Sequence, residues 1–219
     1  MAGADDNEGL RERKKRLTRQ LIAATAMRLF TEHGFDAVTV TQIATAAGVA
    51  EKTVYNYFPR KTDLFFDEAG DILAELLFTV KNRKPGRSAL DAVQAFVSGR
   101  AEWAADRRPA RPSRRFRNLI ADSPALQAGM RDMFARYETA LSGLLTAETG
   151  VPPGSAEPFI AAVAMVAVVR AAFEARATGQ QPARGTTASA LRVLRDGLGS
   201  YAITGAPGAS PAAGQDACP

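Results

Sequence analysis

The residues with the clearest chemical potential lie in one short stretch, AGVAEKTVYNYFPRK, which spans residues 47–61. This stretch holds two tyrosines, one asparagine, one threonine and two lysines, with few apolar residues to anchor it. On a helical wheel Phe58 lies about 40° from Val54. Lys52 and Asn56 point the opposite way. The polar residues therefore share one outward face, and its tyrosines favour a binding surface over a merely solvated one.

The side chains on this face suit the major groove of DNA. Asparagine can bind adenine through two hydrogen bonds, lysine can reach guanine, and the threonine methyl can contact the methyl of thymine. Tyrosine and threonine hydroxyls can bind phosphate oxygens. Lys61 lies where the next helix is predicted to begin, so its ammonium and the free backbone amides can hold an anion together. The net charge of +5 permits a polyanionic partner. The sequence thus predicts double-stranded DNA as a partner.

A second short helix must position this face. Apolar residues recur at helical spacing over residues 40–47, and Thr39 and Gln42 have the spacing of a capping box. Gly48 follows where a helix ends in the left-handed conformation. Two short helices joined by a tight turn that contains glycine are typical of a helix-turn-helix motif.

The rest of the chain also follows helical patterns. We expect the first helix to end at Gly34, a third to span residues 51–58 before Pro59, and a fourth to run from about residue 61 to residue 80. Beyond the break KNRKPGRS, further helical patterns cover residues 88–106, 113–122, 124–149, 156–178 and 186–203. Since no convincing alternating pattern of a β-strand occurs, the predicted fold class is all-α.

These patterns divide the chain into four parts. Residues 1–9 and residues 205–219 are rich in small and polar residues, and we expect both to be disordered. We assign residues 10–62 to a three-helix helix-turn-helix DNA-binding domain. Residues 63–204 then form a larger helical domain.

The run TVTQIATAAGVAEKTVYNYFPRKTDL resembles the DNA-binding domain of the TetR family of bacterial repressors. The likeness covers about residues 15–65 and is carried by Ile43-Ala44, Ala47-Gly48-Val49, Tyr55-x-Tyr57-Phe58, Lys61 and Leu64. It implies phosphate contacts from Thr39, Tyr55, Tyr57 and Lys61. It implies base-edge or mixed contacts from Thr41, Gln42, Glu51, Lys52, Thr53 and Asn56.

Three features of this region leave alternatives open. Ala50 stands where family members commonly have a serine or threonine cap, so a capping contact of the third helix is in doubt. Glu51 either accepts a hydrogen bond from cytosine or stays at the helix N-terminus, where its charge is favourable. The upstream run RERKKRLTR is either a solvated helix start or a basic arm along the DNA backbone.

A homodimer is predicted from the second half of the chain. The segment FIAAVAMVAVVRAAFEA is apolar around nearly the whole helix, which indicates burial on two sides. The family resemblance implies that the last two long helices, 156–178 and 186–203, pair with their copies in a partner subunit. A dimer is also needed because one helix-turn-helix reads only half of a palindromic operator.

The resemblance further implies that the larger domain, residues 63–204, serves ligand binding and dimerisation and contains a pocket for an unidentified small-molecule effector. Bulky and adaptable side chains that could line it are Phe96, Trp103, Met130, Met133, Phe134, Tyr137, Met165 and Phe173. The same residues at helical spacing are also typical of an ordinary core. The segment DRRPARPSRRFR, residues 106–117, is either a solvated loop or a site for an anionic group.

Other classes of protein find little support in the sequence. No glycine-rich phosphate loop and no G-x-S-x-G motif occurs, and His33 and Cys218 are the only residues of their types. We therefore expect no enzyme, cofactor, metal site or disulfide. The most apolar run, residues 159–169, is short for a membrane span, so we expect a cytoplasmic protein without membrane contact.

The leading hypothesis is a ligand-responsive dimeric repressor. One alternative is a constitutive DNA-binding protein without an effector. The other is a helical small-molecule carrier or enzyme.

Overall fold

The computed structural model describes residues 9–107, 114–152 and 154–177, together with Leu191 and Leu194. Within these residues the chain forms helices α1 (Leu10–His33), α2 (Val40–Ala47), α3 (Glu51–Tyr57), α4 (Lys61–Phe65), α5 (Ala69–Lys81), α6 (Ala89–Arg107), α7 (Arg114–Asp122), α8 (Pro124–Thr149) and α9 (Ala156–Ala177). The predicted all-α class is confirmed. The described residues do not include residues 108–113 of the 106–117 segment, nearly all of both termini, or the helix expected over 186–203 apart from Leu191 and Leu194.

The ends of the first helices follow the local sequence signals. Gly34, with φ of 86°, ends α1, and its N–H donates to the carbonyl of Phe30. The capping box of α2 is formed: the Thr39 hydroxyl accepts from the Gln42 N–H, and the Gln42 side chain accepts from the Thr39 N–H. Gly48 ends α2 in the left-handed region, with φ of 66°. The capping box and Gly48 fix where α2 begins and ends, and therefore where the turn between α2 and α3 lies.

The single helix expected over residues 61–80 was wrong. The chain forms two helices, α4 and α5, which are separated by residues 66–68. The side chain of Arg19 donates to the carbonyl oxygen of Asp67 at 2.9 Å. Because a continuous helix needs that carbonyl for its own ladder, the arginine stabilises the break. The partner lies 48 residues upstream, which explains why local periodicity missed the interruption.

The chain divides into two compact units. Among the described residues, unit one comprises 9–72, 114–135 and 176–177, and unit two comprises 73–107, 136–175 and Leu191 and Leu194. Helices α5 and α8 therefore contribute residues to both units.

Unit one has an aromatic core. Phe30 and Phe35 pack with their ring centroids 4.9 Å apart, and the Phe65 ring stacks on Phe116 of α7 at 4.6 Å. Gly129 of α8 allows the Phe66 ring to come close, because an added Cβ would lie 3.1 Å from that ring. Helix α7 and the first part of α8 thus pack with the first four helices.

Unit two has an aliphatic core with ion pairs at its margin. Leu76, Leu90, Leu141, Leu145 and Met165 are fully buried. Arg83, whose side chain is nearly buried, donates to Glu148 at 2.8 Å. Such a pair is well hydrogen-bonded, which a nearly buried charge requires.

Helix α9 is apolar enough to resemble a membrane span. Its segment Ala156–Glu174 is long and hydrophobic enough to cross a bilayer by length and composition alone. In unit two, however, this helix buries Ala161, Ala162, Met165 and Val166. Helix α9 therefore behaves as a core helix of a folded domain.

Candidate nucleic-acid interface

Helix α3 presents a polar face to solvent. Val54 is 0% exposed and Phe58 is 1% exposed, so these two residues seat the helix. Lys52 and Asn56 are exposed, and Tyr55 is 46% exposed. With a rise of about 1.5 Å per residue, seven residues give a rod of about 10 Å, which a major groove about 12 Å wide can admit.

The other predicted base-contact and phosphate-contact residues of α3 lie beside this face. Thr53 and Tyr57 are half-buried, and Glu51 is exposed at the first position of the helix. The tyrosines therefore differ: Tyr55 is open to a partner, whereas part of the Tyr57 side chain packs on the protein.

Arg19 is a functional neighbour of this helix that the sequence did not single out. Its guanidinium lies 4.8 Å from the centre of the Phe58 ring, a cation–π contact, while it also donates to Asp67. This cation of the upstream basic run, which was expected to lie either in solvent or along the DNA backbone, is thus directed into the fold. The signal was available, because Arg19 precedes the buried residues Ile22 and Ala26 by three and seven positions.

Thr39 and Gln42 are committed to the start of α2 but keep groups for DNA. Both are exposed. The Thr39 hydroxyl accepts one bond in the capping box and retains its own proton as a donor. The Gln42 side chain uses its oxygen in that box, which leaves its NH₂ group for other acceptors.

Thr41 and Glu51, both predicted to contact DNA, bind each other. The Thr41 hydroxyl donates to a carboxylate oxygen of Glu51 at 2.7 Å. Both residues are exposed. Helix α3 has Ala50 at its N-cap and no side-chain cap there, in agreement with the doubt raised by the sequence.

Lys61 is turned towards the loop after α1. Its ammonium donates to the carbonyl of Phe35 at 2.5 Å and lies 4.4 Å from the centre of the Phe35 ring. Burial lowers the pKa of Lys61 below 10.5, and the charge of Asp36 opposes that shift. The ammonium that was expected to hold phosphate is therefore engaged within the protein, with part of its donor capacity remaining.

The upstream basic run is helical and exposed. Residues 10–17 form the first two turns of α1, and every one of them is exposed. This geometry is compatible with both readings of the run, a solvated helix start and an arm along DNA.

The candidate ligand residues are divided between the two units. Phe96, Tyr137 and Met165 are buried in unit two, where Phe173 is half-buried. Burial raises the pKa of Tyr137 to about 12, although Arg100 and Arg136 oppose the shift. The remaining candidates are distributed as follows: Met133 and Phe134 are buried and Met130 half-buried in unit one, and the side chain of Trp103 lies outside the described part of α6.

Unit one contains a cavity of about 460 Å³ at the end of α1. Its wall includes Phe30, Gly34, Arg115 and Asp122. None of the predicted ligand residues lines it. The described side chains also form no group of three or more His, Cys, Asp or Glu residues that could hold a metal ion.

Two family models match the sequence. The model of bacterial regulatory proteins of the tetR family matches residues 22–67. The model of the MftR C-terminal domain matches residues 87–199, which is more than half of the chain. The two matches together cover the helix-turn-helix and most of the larger helical region.

Relatives and solved structures agree with these matches. The chain is 26% identical over 162 residues to a proposed mycofactocin biosynthesis transcriptional regulator, MftR, of Mycobacterium tuberculosis, covering 74% of this chain and 81% of that protein. NalD, the secondary repressor of the MexAB-OprM multidrug efflux pump in Pseudomonas aeruginosa, has a TM-score of 0.54 at 20% identity, covering 83% of this chain and 97% of NalD. FadR of Thermus thermophilus, a repressor in complex with lauroyl-CoA, has a TM-score of 0.50 at 23% identity, covering 89% and 100%.

Proposed function

Because this chain belongs to the TetR family of bacterial transcriptional regulators, we propose that it is a repressor that binds a palindromic operator as a homodimer and leaves it when a small-molecule effector binds. The observation that carries the DNA-binding part is the outward face of α3. This helix of seven residues buries Val54 against the protein and exposes Lys52, Tyr55 and Asn56. The exposed side chains suit the major groove and are not needed to hold the helix in place.

The proposed DNA contacts fall into two groups. Lys52, Thr53, Asn56 and the amide of Gln42 reach base edges, where donor and acceptor patterns distinguish base pairs. The hydroxyls of Tyr55, Tyr57 and Thr39 and a remaining N–H of Lys61 reach phosphate, which sets the register on the duplex. The first group determines sequence preference, and the second determines affinity for any duplex.

Dimerisation is proposed to use the outward side of α9 together with the last helix. Phe159 is 51% exposed, and Ile160 beside it is also exposed. Val163, Ala164, Ala167 and Ala171 continue the same side of the helix at helical spacing. Small residues let a second helix approach closely, and an exposed apolar strip of this kind marks an interface.

The effector is proposed to bind in the larger helical region, which the MftR C-terminal domain model matches. The buried side chains of Phe96, Tyr137 and Met165 in unit two suit an effector with an apolar body. Other candidates, Met133 and Phe134, belong to unit one through α8.

The release step is proposed to run through α8. This helix has residues in both units, and its first part belongs to unit one together with the DNA-binding helices. The hydroxyl of Ser123, just before α8, donates to Asp36 at 2.9 Å, and Arg60 lies 3.6 Å from Asp132. A shift of α8 on effector binding would pull on the loop after α1 and on the start of α4, and so reorient α3.

DNA binding can be tested by selection. The full chain is mixed with duplexes that contain a random central region, bound duplexes are amplified, and several rounds are sequenced. We expect a palindrome whose half-sites are spaced by about one helical turn, or a multiple of it. Enrichment of no sequence, even at low salt, would count against DNA binding and favour a carrier or an enzyme.

Effector release is tested on the selected duplex by fluorescence anisotropy. Lauroyl-CoA is the first probe, because FadR of Thermus thermophilus is known in complex with it. A set of other apolar molecules follows. A compound that lowers operator affinity and binds the free protein supports a ligand-responsive repressor, whereas affinity that no compound changes favours a constitutive DNA-binding protein.

A further inference from the structure

The two helices of the helix-turn-helix begin in different ways. Helix α2 starts with a complete capping box formed by Thr39 and Gln42. Helix α3 starts at Ala50, whose side chain cannot accept a hydrogen bond from the free amides. The recognition helix therefore has no local cap that fixes its first turn.

Instead of a cap, a hydrogen bond between two side chains connects the start of α3 to α2. The hydroxyl of Thr41, the second residue of α2, donates to the carboxylate of Glu51, the first residue of α3, at 2.7 Å. A hydrogen bond to a charged group is short and directional. It joins the first turn of α2 to the first turn of α3 across the intervening turn of the motif.

The charge of Glu51 also matters. A carboxylate on a DNA-facing helix is repelled by phosphate unless a base or the protein binds it. Here the protein binds it, and the carboxylate lies at the helix end where negative charge is favoured. Its hydrogen-bonding capacity towards a base is thereby partly used before DNA arrives.

We propose that Thr41 and Glu51 are a positioning pair: they fix the orientation of α3 on α2, and neither residue reads a base. The inference rests on the proposed DNA binding and deepens it. It changes the role of two residues for which the family resemblance implied base-edge or mixed contacts. Sequence preference is then left to Lys52, Thr53, Asn56 and Gln42.

The test is a double-mutant cycle on DNA. The variants are Thr41→Val, Glu51→Ala, the double variant and Glu51→Gln, which keeps an acceptor oxygen without the charge. Thr45→Val is the matched control, because the Thr45 hydroxyl donates only along its own helix, to the carbonyl of Thr41 at 2.9 Å. Each protein is titrated with the palindromic duplex that the unmodified chain selects and with a random duplex of equal length.

For a positioning pair, each single variant lowers the ratio of the two affinities by about threefold to tenfold per half-site. The double variant is no worse than the poorer single variant, because one bond is lost in all three. Glu51→Gln recovers most of the ratio, and Thr45→Val matches the unmodified chain. Repeated selections with Thr41→Val and Glu51→Ala return the same base at every position.

Three results would overturn the inference. One is a changed base at a single position after Glu51→Ala and Glu51→Gln, which means that the carboxylate reads cytosine. Another is a double variant whose loss is the product of the two single losses. The third is a rise in affinity for both duplexes at an unchanged ratio, which means that Glu51 only repels phosphate.

Failure of the proposed function looks different from these three results. In that case the unmodified chain selects no duplex at all, and the inference falls with it. All variants are expected to fold, since both side chains are exposed, and circular dichroism melting checks this.

Discussion

Helices α3 and α9 differ in how much of their surface the fold buries. Helix α3 has seven residues and fully buries only Val54 among them, so four of the seven side chains are exposed to a partner. Helix α9 has 22 residues, is apolar around most of its circumference, and buries one side in unit two. The function of α3 depends on side chains that the fold leaves exposed. Helix α9 has side chains that the fold covers on one side and that, in the proposed dimer, a second subunit covers on the other.

This comparison shows that residue type alone can mislead. Composition makes α9 similar to a membrane span, yet it packs as a core helix. Likewise Arg19 and Lys61 are cations near a DNA-binding surface, yet both are bound by aromatic rings and backbone carbonyls of the protein. In each case the neighbours, rather than the residue, determine the role.

The largest expected effect comes from removing the seat of α3. Phe58→Ala deletes a ring that is 1% exposed and that supports the guanidinium of Arg19. We expect the free energy of unfolding to fall by about 3–5 kcal/mol, measured by urea denaturation. Binding to every duplex should be lost together with the orientation of the helix.

Its control lies on the other side of the same helix. Tyr55→Phe removes one exposed hydroxyl and keeps the ring. It should leave the free energy of unfolding within about 0.5 kcal/mol and weaken binding to all sequences alike. If Tyr55→Phe destabilised the protein as much as Phe58→Ala, the division of α3 into a buried side and an exposed side would be wrong.

The next effect concerns the outward side of α9. Phe159→Glu places a charge in the proposed dimer interface, and we expect the dimer to weaken by about a hundredfold, measured by sedimentation equilibrium. Phe78→Glu is the matched control, because it makes the same change at an aromatic residue of α5 that is 69% exposed. If both variants remain dimeric to the same concentration, the interface lies elsewhere.

A smaller effect is expected on sequence preference. Asn56→Ala removes the amide from the exposed face of α3 and should reduce discrimination at one position of each half-site by about 1–3 kcal/mol. Selection from random duplexes measures this directly. A uniform loss at all positions would make Asn56 a phosphate contact instead.

Local signals explain how much of this architecture the sequence could predict. Gly34, the Thr39 and Gln42 capping box, Gly48 and the helical spacing of Val54 and Phe58 act within a few residues. The helix-turn-helix and its polar face followed from them. The spacing of Tyr55 and Phe58 is typical of the family. This signal is also local, so it could be recognised without knowing any distant partner.

The parts that sequence could not predict depend on distant pairs. Arg19 meets Asp67 across 48 residues, Lys61 meets Phe35 across 26, and Thr41 meets Glu51 across ten. Each pair redirects a charged or polar group whose local pattern gave a different expectation. The candidate ligand residues are a similar case, since helical spacing cannot distinguish a pocket from a core, and their assignment to an effector stays a prediction.

The smallest expected effect concerns Lys61, whose ammonium is turned towards the loop after α1. Burial lowers the pKa of Lys61 below 10.5, so in the interval just under pH 10.5 the unfolded chain binds more protons than the folded one. The contribution of Lys61 to the free energy of unfolding therefore rises with pH through that interval, by less than about 1 kcal/mol because solvent screens a partly exposed group. The raised pKa of Tyr137 contributes in the opposite direction, so the Lys61 rise is measured as a difference between the unmodified chain and a variant. Lys61→Met should remove this rise, measured by urea denaturation at several pH values, whereas Lys15→Met on the exposed start of α1 should keep it.

The same variant separates the two roles of Lys61. Its bonds to the carbonyls of Phe35 and Asp36 use two of three N–H donors, so the third donor can still reach phosphate. If it does, Lys61→Met lowers the slope of log affinity against log salt by about one per subunit. An unchanged slope together with a lost pH dependence would make Lys61 a structural residue of the loop after α1, and the phosphate contacts would then belong to Thr39 and the tyrosines alone.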